Sequence, residues 1–226
     1  ERWRAADEAV YAGGPYVRRG DGWVRLEDQD DPHAPVVYAG EEYLPLMEGK
    51  WIHQFDHCAF AYVSGEGKSQ IITRPLRLEE KQIVPHFFVS RRQFREHLGG
   101  WPRHKVGFRA IAHQSVERTL ITAYIPGELP AGNSIPVLST DDPRLLATWI
   151  GISNSFAFDF RMRMGLSGGN ANLFTLYPLP LPEISADSEA ARDLVVAVCR
   201  LCCFSDETAG FWSEIASFHA DAMPSP

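Results

Sequence analysis

Residues 104–126 read HKVGFRAIAHQSVERTLITAYIP, and this stretch indicates the class of fold. Apolar residues alternate with polar or small ones over 106–111 and again over 119–125, which predicts two neighbouring strands. Downstream, residues 140–143 read TDDP, which places a capping oxygen, acids and a proline at a helix start. Apolar residues then recur at helical spacing to about residue 164. Strands followed by helices predict a mixed α+β class.

The flanking segments extend this α+β pattern in both directions. Further strands are predicted at 43–63, 70–74, 85–89 and 173–177. The sequence SRRQ is typical of a capping box and predicts a short helix over 90–97. After a proline-rich linker, two amphipathic helices are predicted as a C-terminal helical pair, at 186–204 and 207–220. The first 42 residues have the composition of a loop-rich arm.

The overall composition is that of a globular protein. The chain has 226 residues and four cysteines, three of them at 199, 202 and 203. This crowding does not indicate a disulfide framework, so a reducing, cytoplasmic location is predicted. No apolar run approaches 18 residues, and no membrane partner is predicted. Because the chain begins without Met, we expect it to be a piece of a longer protein.

The formal net charge of the whole chain is −7, which by itself argues against a nucleic-acid partner. The charge is, however, unevenly distributed along the chain. Residues 86–118 carry seven basic and two acidic side chains, a local charge of +5. Residues 183–226 carry two basic and eight acidic side chains, a local charge of −6. A basic middle therefore lies between acidic ends.

Catalytic and metal motifs are few. The sequence contains no nucleotide-binding glycine loop, no nucleophile elbow and no Asn-Pro-Pro-Tyr type tetrapeptide. His53, Asp56, His57 and Cys58 form a metal-competent window, but on a strand His53 and His57 would lie roughly 13 Å apart. A polar strand face is the favoured interpretation. The cysteines at 199, 202 and 203 lack a second ligand pair, so we predict buried thiols and no metal site.

Two segments carry side chains that are suited to binding DNA. Arginine matches phosphates and guanine edges with two donors at once, which makes the basic segment a candidate DNA surface. A solvated face paired with the acidic ends is the alternative. Asn170 and Asn172, in the loop GGNAN, could contact an adenine edge. The alternative for this loop is a helix C-cap with an asparagine in the left-handed conformation.

Residues 43–57 read YLPLMEGKWIHQFDH, and they resemble the start of the specificity region in single-chain bacterial adenine-N6 DNA methyltransferases. These are the type IIG and related restriction–modification or phage-defence enzymes. Similar motifs follow in the same order: KVGFRAIA at 105–112, ERT at 117–119, IP at 125–126, GN at 132–133, NS at 154–155, FD at 158–159, GGNAN at 168–172 and LPLP at 179–182. One departure is Cys58, which stands where the family pattern has arginine.

The resemblance implies that residues 43–182 are a target recognition domain with a curved mixed sheet and flanking helices. Residues 1–42 would be the arm that links it to an upstream methyltransferase domain, and 183–226 would be a helical spacer. That upstream domain would bind S-adenosylmethionine and flip an adenine, so neither a cofactor nor catalytic residues are expected in this fragment. The expected partner is double-stranded DNA. The expected DNA-binding residues are Lys50, His53, Gln54, Arg91, Arg92, Lys105, Arg109, Arg118, Asn170 and Asn172.

Two alternatives remain open from the residues themselves. The acidic helices over 186–220 could form the contact surface of a non-catalytic scaffold or protein-interaction module. His53, Asp56 and His57 could instead serve a hydrolase.

Overall fold

The computed structural model describes residues 16–19, 22–32, 34, 36–38, 41–65, 70–91, 94–95, 103–166, 168–185 and 188–223. Five helices lie within these ranges: α1 (Pro143–Ser153), α2 (Phe156–Gly165), α3 (Leu173–Leu176), α4 (Glu189–Cys202) and α5 (Ala209–Phe218). The described helices are each too short or too polar to cross a membrane. Together with antiparallel strands, they confirm the α+β class.

The ten strands of the described residues form three antiparallel sheets. In chain order the strands are β1 (Tyr16–Arg19), β2 (Gly22–Arg25), β3 (Val36–Tyr38), β4 (Glu41–Pro45), β5 (Phe60–Ser64), β6 (Ile72–Pro75), β7 (Phe88–Ser90), β8 (His104–Phe108), β9 (Thr122–Pro126) and β10 (Val137–Thr140). The sheet orders are β1-β2-β3-β4-β7, β10-β8-β9 and β5-β6. The resemblance implies a curved mixed sheet, whereas the described strands form three smaller sheets that are each antiparallel.

The predicted strand over 43–63 is interrupted because the chain leaves the first sheet after Pro45. β4 ends at Pro45, and the Leu46 N–H makes a last bond to the neighbouring segment by donating to Phe87 O over 2.9 Å. The next residues cross to another loop, where the Met47 N–H donates to Pro130 O over 2.8 Å and Gly132 N–H donates to Met47 O over 2.9 Å. A 3₁₀ turn at Gly49–Trp51 follows, and β5 then pairs with β6 alone.

The single helix expected to residue 164 is two helices that meet at Asn154 and Ser155. Asn154 is the C-terminal cap of α1, and Ser155 caps α2 by accepting the Phe158 N–H over 3.2 Å. The start of α1 is as predicted, since the Asp142 side chain accepts the N–H groups of Arg144 and Leu145. The helical spacing of apolar residues continues across Asn154 and Ser155, so the sequence alone does not reveal the break between the two helices.

The predicted strand at 173–177 is wrong, because Leu173–Leu176 is the short helix α3. Asn172 begins it, and its side chain accepts the Thr175 N–H over 3.0 Å. A capping asparagine satisfies an early N–H of a helix, so this residue favours the helical start over an extended one. Of the helix predicted at 90–97, only Arg91, Phe94 and Arg95 are described as helical, and the rest of its interior lies outside the described residues.

The C-terminal helical pair is confirmed, and it shares a core with the middle of the chain. Side chains of α4 and α5 pack with Val106 of β8, Tyr124 of β9 and Ile150 of α1. Gly151 allows the close approach of α1 to α4, since a Cβ there would lie 2.6 Å from Leu194 Cδ1. The core is therefore continuous across the expected 182/183 boundary. The expected 42/43 boundary falls inside β4.

Burial is confirmed for two of the three cysteines for which the sequence predicts it, Cys199 and Cys202, and the prediction is wrong for Cys203. Cys58, Cys199 and Cys202 lie in the core, whereas Cys203 is partly exposed. Burial raises the pKa of Cys58 to about 12 and raises the pKa of Cys202 strongly. The thiol of Cys203, whose Sγ lies 3.5 Å from that of Cys199, raises the pKa of Cys199 more than burial does. The thiolate is the reactive form, so these three thiols are protected by position and by protonation.

We therefore expect Ellman's reagent to modify one thiol of the native protein quickly and all four only after denaturation. Cys203→Ser should abolish the fast phase, while Cys58→Ser, the matched control, should leave it intact. Fast reaction of two or more thiols in the native protein would contradict the burial described above.

Candidate nucleic-acid interface

A tight turn at residues 53–56 presents two of the predicted DNA-binding side chains. The His53 N–H donates to Asp56 O over 2.8 Å, and the Asp56 N–H donates to His53 O over 3.1 Å. Phe55 has a φ of +64°, an uncommon conformation for a bulky residue, and its N–H donates to Thr122 O over 3.0 Å. This bond to β9 holds the turn in place. His53 is exposed and Gln54 is half-buried.

Arg118, 64 residues further along the chain, lies against this turn. Its Nε donates to Gln54 Oε1 over 3.2 Å, and its Nη2 donates to Asn154 O over 3.0 Å. The guanidinium carbon lies 4.0 Å from the centre of the Phe156 ring. Its Nη1 is buried and has no hydrogen-bond partner within the described residues. We call His53, Gln54, Arg118 and Phe156 the Arg118 cluster.

The surroundings of His53 lower its pKa and so favour the neutral form of its ring. Partial burial lowers the pKa of His53, and the nearby positive charge of Arg109 lowers it further. A neutral imidazole has one donor and one acceptor nitrogen. The cluster thus combines an imidazole, an amide and a guanidinium, which are groups that can hydrogen-bond base edges.

Arg109 supports the turn from the inner side. Its Nε donates to Gly49 O over 2.9 Å and its Nη2 to Ile52 O over 2.5 Å. Burial lowers the pKa of its guanidinium. Two of its donor nitrogens are therefore committed to the protein, which makes Arg109 a positioning residue for the 49–53 segment rather than a free contact to DNA.

The DNA contact predicted for Lys105 is wrong in this structure. The side chain lies inside β8 with 2% exposure, and its Nζ donates to Leu129 O. Alternation along β8 predicts one face toward solvent, but all five of its residues are buried, so both faces of this strand are covered. An ammonium enclosed in this way cannot reach a phosphate.

The remaining basic residues are dispersed. Lys50 forms an ion pair of 3.3 Å with Glu48 and lies 5.4 Å from the centre of the Trp51 ring. Arg91 directly follows β7 and is half-buried. Arg92 lies outside the described residues. DNA contacts by these three side chains stay predictions.

The loop at 168–172 returns to the end of the β8 segment. The Ala171 N–H donates to Ala110 O over 2.7 Å, and the Ala112 N–H donates to Gly169 O over 3.1 Å. Asn170 is exposed, and a contact with DNA stays a prediction. Asn172 is the N-cap of α3 with a φ of −144°, so the alternative of a left-handed asparagine at a helix C-cap is wrong for this residue.

Asn154 and Asp159 are structural residues that sequence reasoning left without a role. Asn154 Oδ1 accepts the Thr122 N–H over 3.2 Å, and its Nδ2 donates to Thr122 O over 2.9 Å. Asp159 Oδ1 accepts the Leu120 N–H over 2.8 Å. The two side chains satisfy backbone groups of Thr122, the first residue of β9, and of Leu120 just before it. Both residues lie in motifs of the resemblance, NS at 154–155 and FD at 158–159, and that was the available signal.

The hydrolase alternative is not supported by the geometry. The buried His57 ring stacks on Phe204 with 5.1 Å between ring centres, whereas His53 is exposed. The Asp56 carboxylate pairs with Lys81 Nζ over 2.5 Å. Within the described part of the chain, no group of three or more His, Cys, Asp and Glu residues could hold a metal ion.

Comparison of the chain with protein-family models and with curated proteins finds no match. A function for this chain is therefore inferred from its own residues and their arrangement.

Proposed function

We propose that this chain is the DNA-binding target recognition domain of an S-adenosylmethionine-dependent adenine-N6 DNA methyltransferase or restriction–modification enzyme. The observation that carries this proposal is the Arg118 cluster. Gln54 and Arg118 belong to separate motifs of the resemblance, and the fold brings their side chains into hydrogen-bond contact. Residues that are distant in sequence but joined at one surface are typical of a binding site.

The chemistry of the cluster suits base readout. A glutamine amide can pair with an adenine edge. Arg118, whose Nε and Nη2 donate to Gln54 Oε1 and Asn154 O, orients that amide for base readout. In the free protein, Arg118 and Gln54 bind one another, which keeps both side chains ordered before DNA arrives. Lys50, Arg91, Arg92 and Asn170 are the candidates for contacts to the phosphate backbone, which position a protein on DNA without reading sequence.

In the proposed enzyme, methyl transfer takes place in another domain. An upstream methyltransferase domain would hold S-adenosylmethionine and the flipped adenine, and this domain would select the site. Cytoplasmic location belongs to the same proposal. The scaffold alternative has less support, because the apolar side of α4 packs against α1 and is not available to a partner.

We expect the chain to enrich a defined sequence from a pool of random duplexes. The double variant His53→Ala/Gln54→Ala should bind the enriched duplex about 5- to 150-fold more weakly, because each good base contact is worth about 1–3 kcal/mol. Its affinity for unselected duplex, which depends on phosphate contacts, should change little. Fluorescence anisotropy at several salt concentrations measures both affinities, since phosphate contacts weaken steeply with salt.

Arg200→Ala is the matched control, because it removes one exposed charge from α4 and leaves the cluster intact. It should keep the wild-type sequence preference. The proposal fails if wild-type protein shows no salt-sensitive binding to duplex DNA, or if the double variant enriches the same sequence with equal affinity.

A further inference from the structure

Phe156 is the member of the Arg118 cluster that the proposed readout does not use. It is the first residue of α2, and 81% of its surface is exposed. Two residues later, Phe158 is buried in the core. An exposed phenylalanine ring of this kind adds little to the stability of the fold, because it removes almost no apolar surface from water.

The ring is nevertheless held in one place. Arg118 stacks on one face at 4.0 Å, and the same guanidinium binds Gln54 and the carbonyl of Asn154. Ser155 caps the helix and fixes the backbone from which the ring projects. The side chain is therefore both exposed and supported from behind by a cation.

The surroundings favour an anionic ligand. Arg118 touches the ring, and Arg161 is exposed on the same helix. The carboxylate of Asp159 is buried and is shared between the Leu120 N–H and Arg163. DNA-binding proteins that bend a duplex insert apolar side chains of this type between base pairs, with cationic groups beside them.

We propose that Phe156 inserts between adjacent bases of the bound duplex, next to the base pair that Gln54 contacts. The ligand is a duplex with an easily deformed base step at this position. Pyrimidine–purine steps have the lowest energetic cost of deformation. Insertion would unstack the step and unwind the duplex locally. This inference rests on the proposed function and adds a deformation of the DNA that base contacts alone do not require.

A protein surface is the competing ligand for this ring. Phe160 and Met164 continue the exposed apolar row along α2. DNA is favoured for Phe156 because Phe156 alone of these three side chains stacks on Arg118 in the described structure. The experiment below separates the two ligands.

The test is relaxation of a plasmid by a topoisomerase in the presence of the chain. A side chain that enters the base stack unwinds the duplex, and the relaxed plasmid then keeps a changed linking number after the protein is removed. A plasmid contains many short sites, so the recognised sequence need not be known. We expect wild-type protein to change the linking number and Phe156→Ala to leave it unchanged at equal occupancy of the DNA.

Phe174→Ala is the matched control, because Phe174 is an aromatic residue of α3 with 85% exposure that does not stack on Arg118. It should unwind the plasmid as wild-type protein does. Phe156→Ala should also bind duplex DNA about tenfold more weakly, in line with the loss of one aromatic–base contact. Circular dichroism should show the same fold for both variants, since both rings are exposed.

The possible outcomes distinguish failure of the insertion from failure of the proposed function. If wild-type protein binds duplex DNA and does not unwind it, or if Phe156→Ala still unwinds it, the insertion is overturned and the proposed function stands. Equal weakening of DNA binding by Phe156→Ala and Phe174→Ala, with no change in linking number, also overturns it. Absence of salt-sensitive binding to duplex DNA overturns both.

Discussion

Replacing Asn154 by alanine is expected to lower the free energy of unfolding by about 2–3 kcal/mol. Asn154 is buried, and its side chain bonds both backbone groups of Thr122 and the carbonyl of Ile150. The Thr122 carbonyl keeps a second donor, the Phe55 N–H. The Thr122 N–H would lose its partner inside the protein, and an orphaned buried donor carries the full cost of its desolvation.

The matched control is Asn172→Ala, which removes an exposed helix cap and should cost about 1 kcal/mol. Denaturant unfolding followed by far-UV circular dichroism measures both variants. Arg118 and Gln54 donate to the backbone carbonyl of Asn154, which the alanine variant keeps, so Asn154→Ala should affect the Arg118 cluster less than the fold. A loss no larger than that of Asn172→Ala would show that the side-chain bonds to the Thr122 backbone add little to stability.

Lys105→Met is expected to stabilise the protein at pH 6 by about 3 kcal/mol and to give no gain near pH 10.5. Burial lowers the pKa of Lys105 from its ordinary value of 10.5 to about 7. The unfolded chain therefore binds more protons than the folded one between these two values. Stability that is present above pH 10.5 is lost progressively as the pH falls from 10.5 to 7, because the unfolded chain takes up a proton that the buried Lys105 amine does not.

Methionine has a similar length and no charge, so it removes this cost together with the hydrogen bond to Leu129 O. Lys50→Met is the control, because it removes a partly exposed lysine paired with Glu48 and should change stability by less than about 1 kcal/mol. The free energy of unfolding of all three proteins is measured from pH 6 to pH 10.5. A difference between Lys105→Met and wild type that is independent of pH would contradict the buried ammonium.

Lys105 also shows where sequence-based assignment of a DNA surface fails. The basic segment 86–118 is visible in composition, but composition does not reveal which cations face inward. Lys105 is buried and donates to the carbonyl of Leu129, and Arg109 hydrogen-bonds the carbonyls of Gly49 and Ile52, 60 and 57 residues earlier in the chain. Both placements depend on non-local pairing, which the order of residues along one strand does not encode.

The sequence by itself determined those strands and helices whose formation depends on residues close together in the chain. Alternating apolar residues predict β8 and β9, the TDDP segment predicts the start of α1, and amphipathic periodicity predicts α4 and α5. Each of these signals acts over a few residues, through side-chain burial on one face or through a cap on a free N–H.

Only the tertiary structure decided how these elements are joined. Packing divides the strands among three sheets and brings Gln54 beside Arg118. It also places Asn154 and Asp159 where they bind the backbone N–H groups of Thr122 and Leu120. The physical reason is that hydrogen bonds between distant segments form only where packing brings donor and acceptor within about 3 Å. The sequence supplied the side chains of the candidate interface, and packing decided which of them reach the surface together.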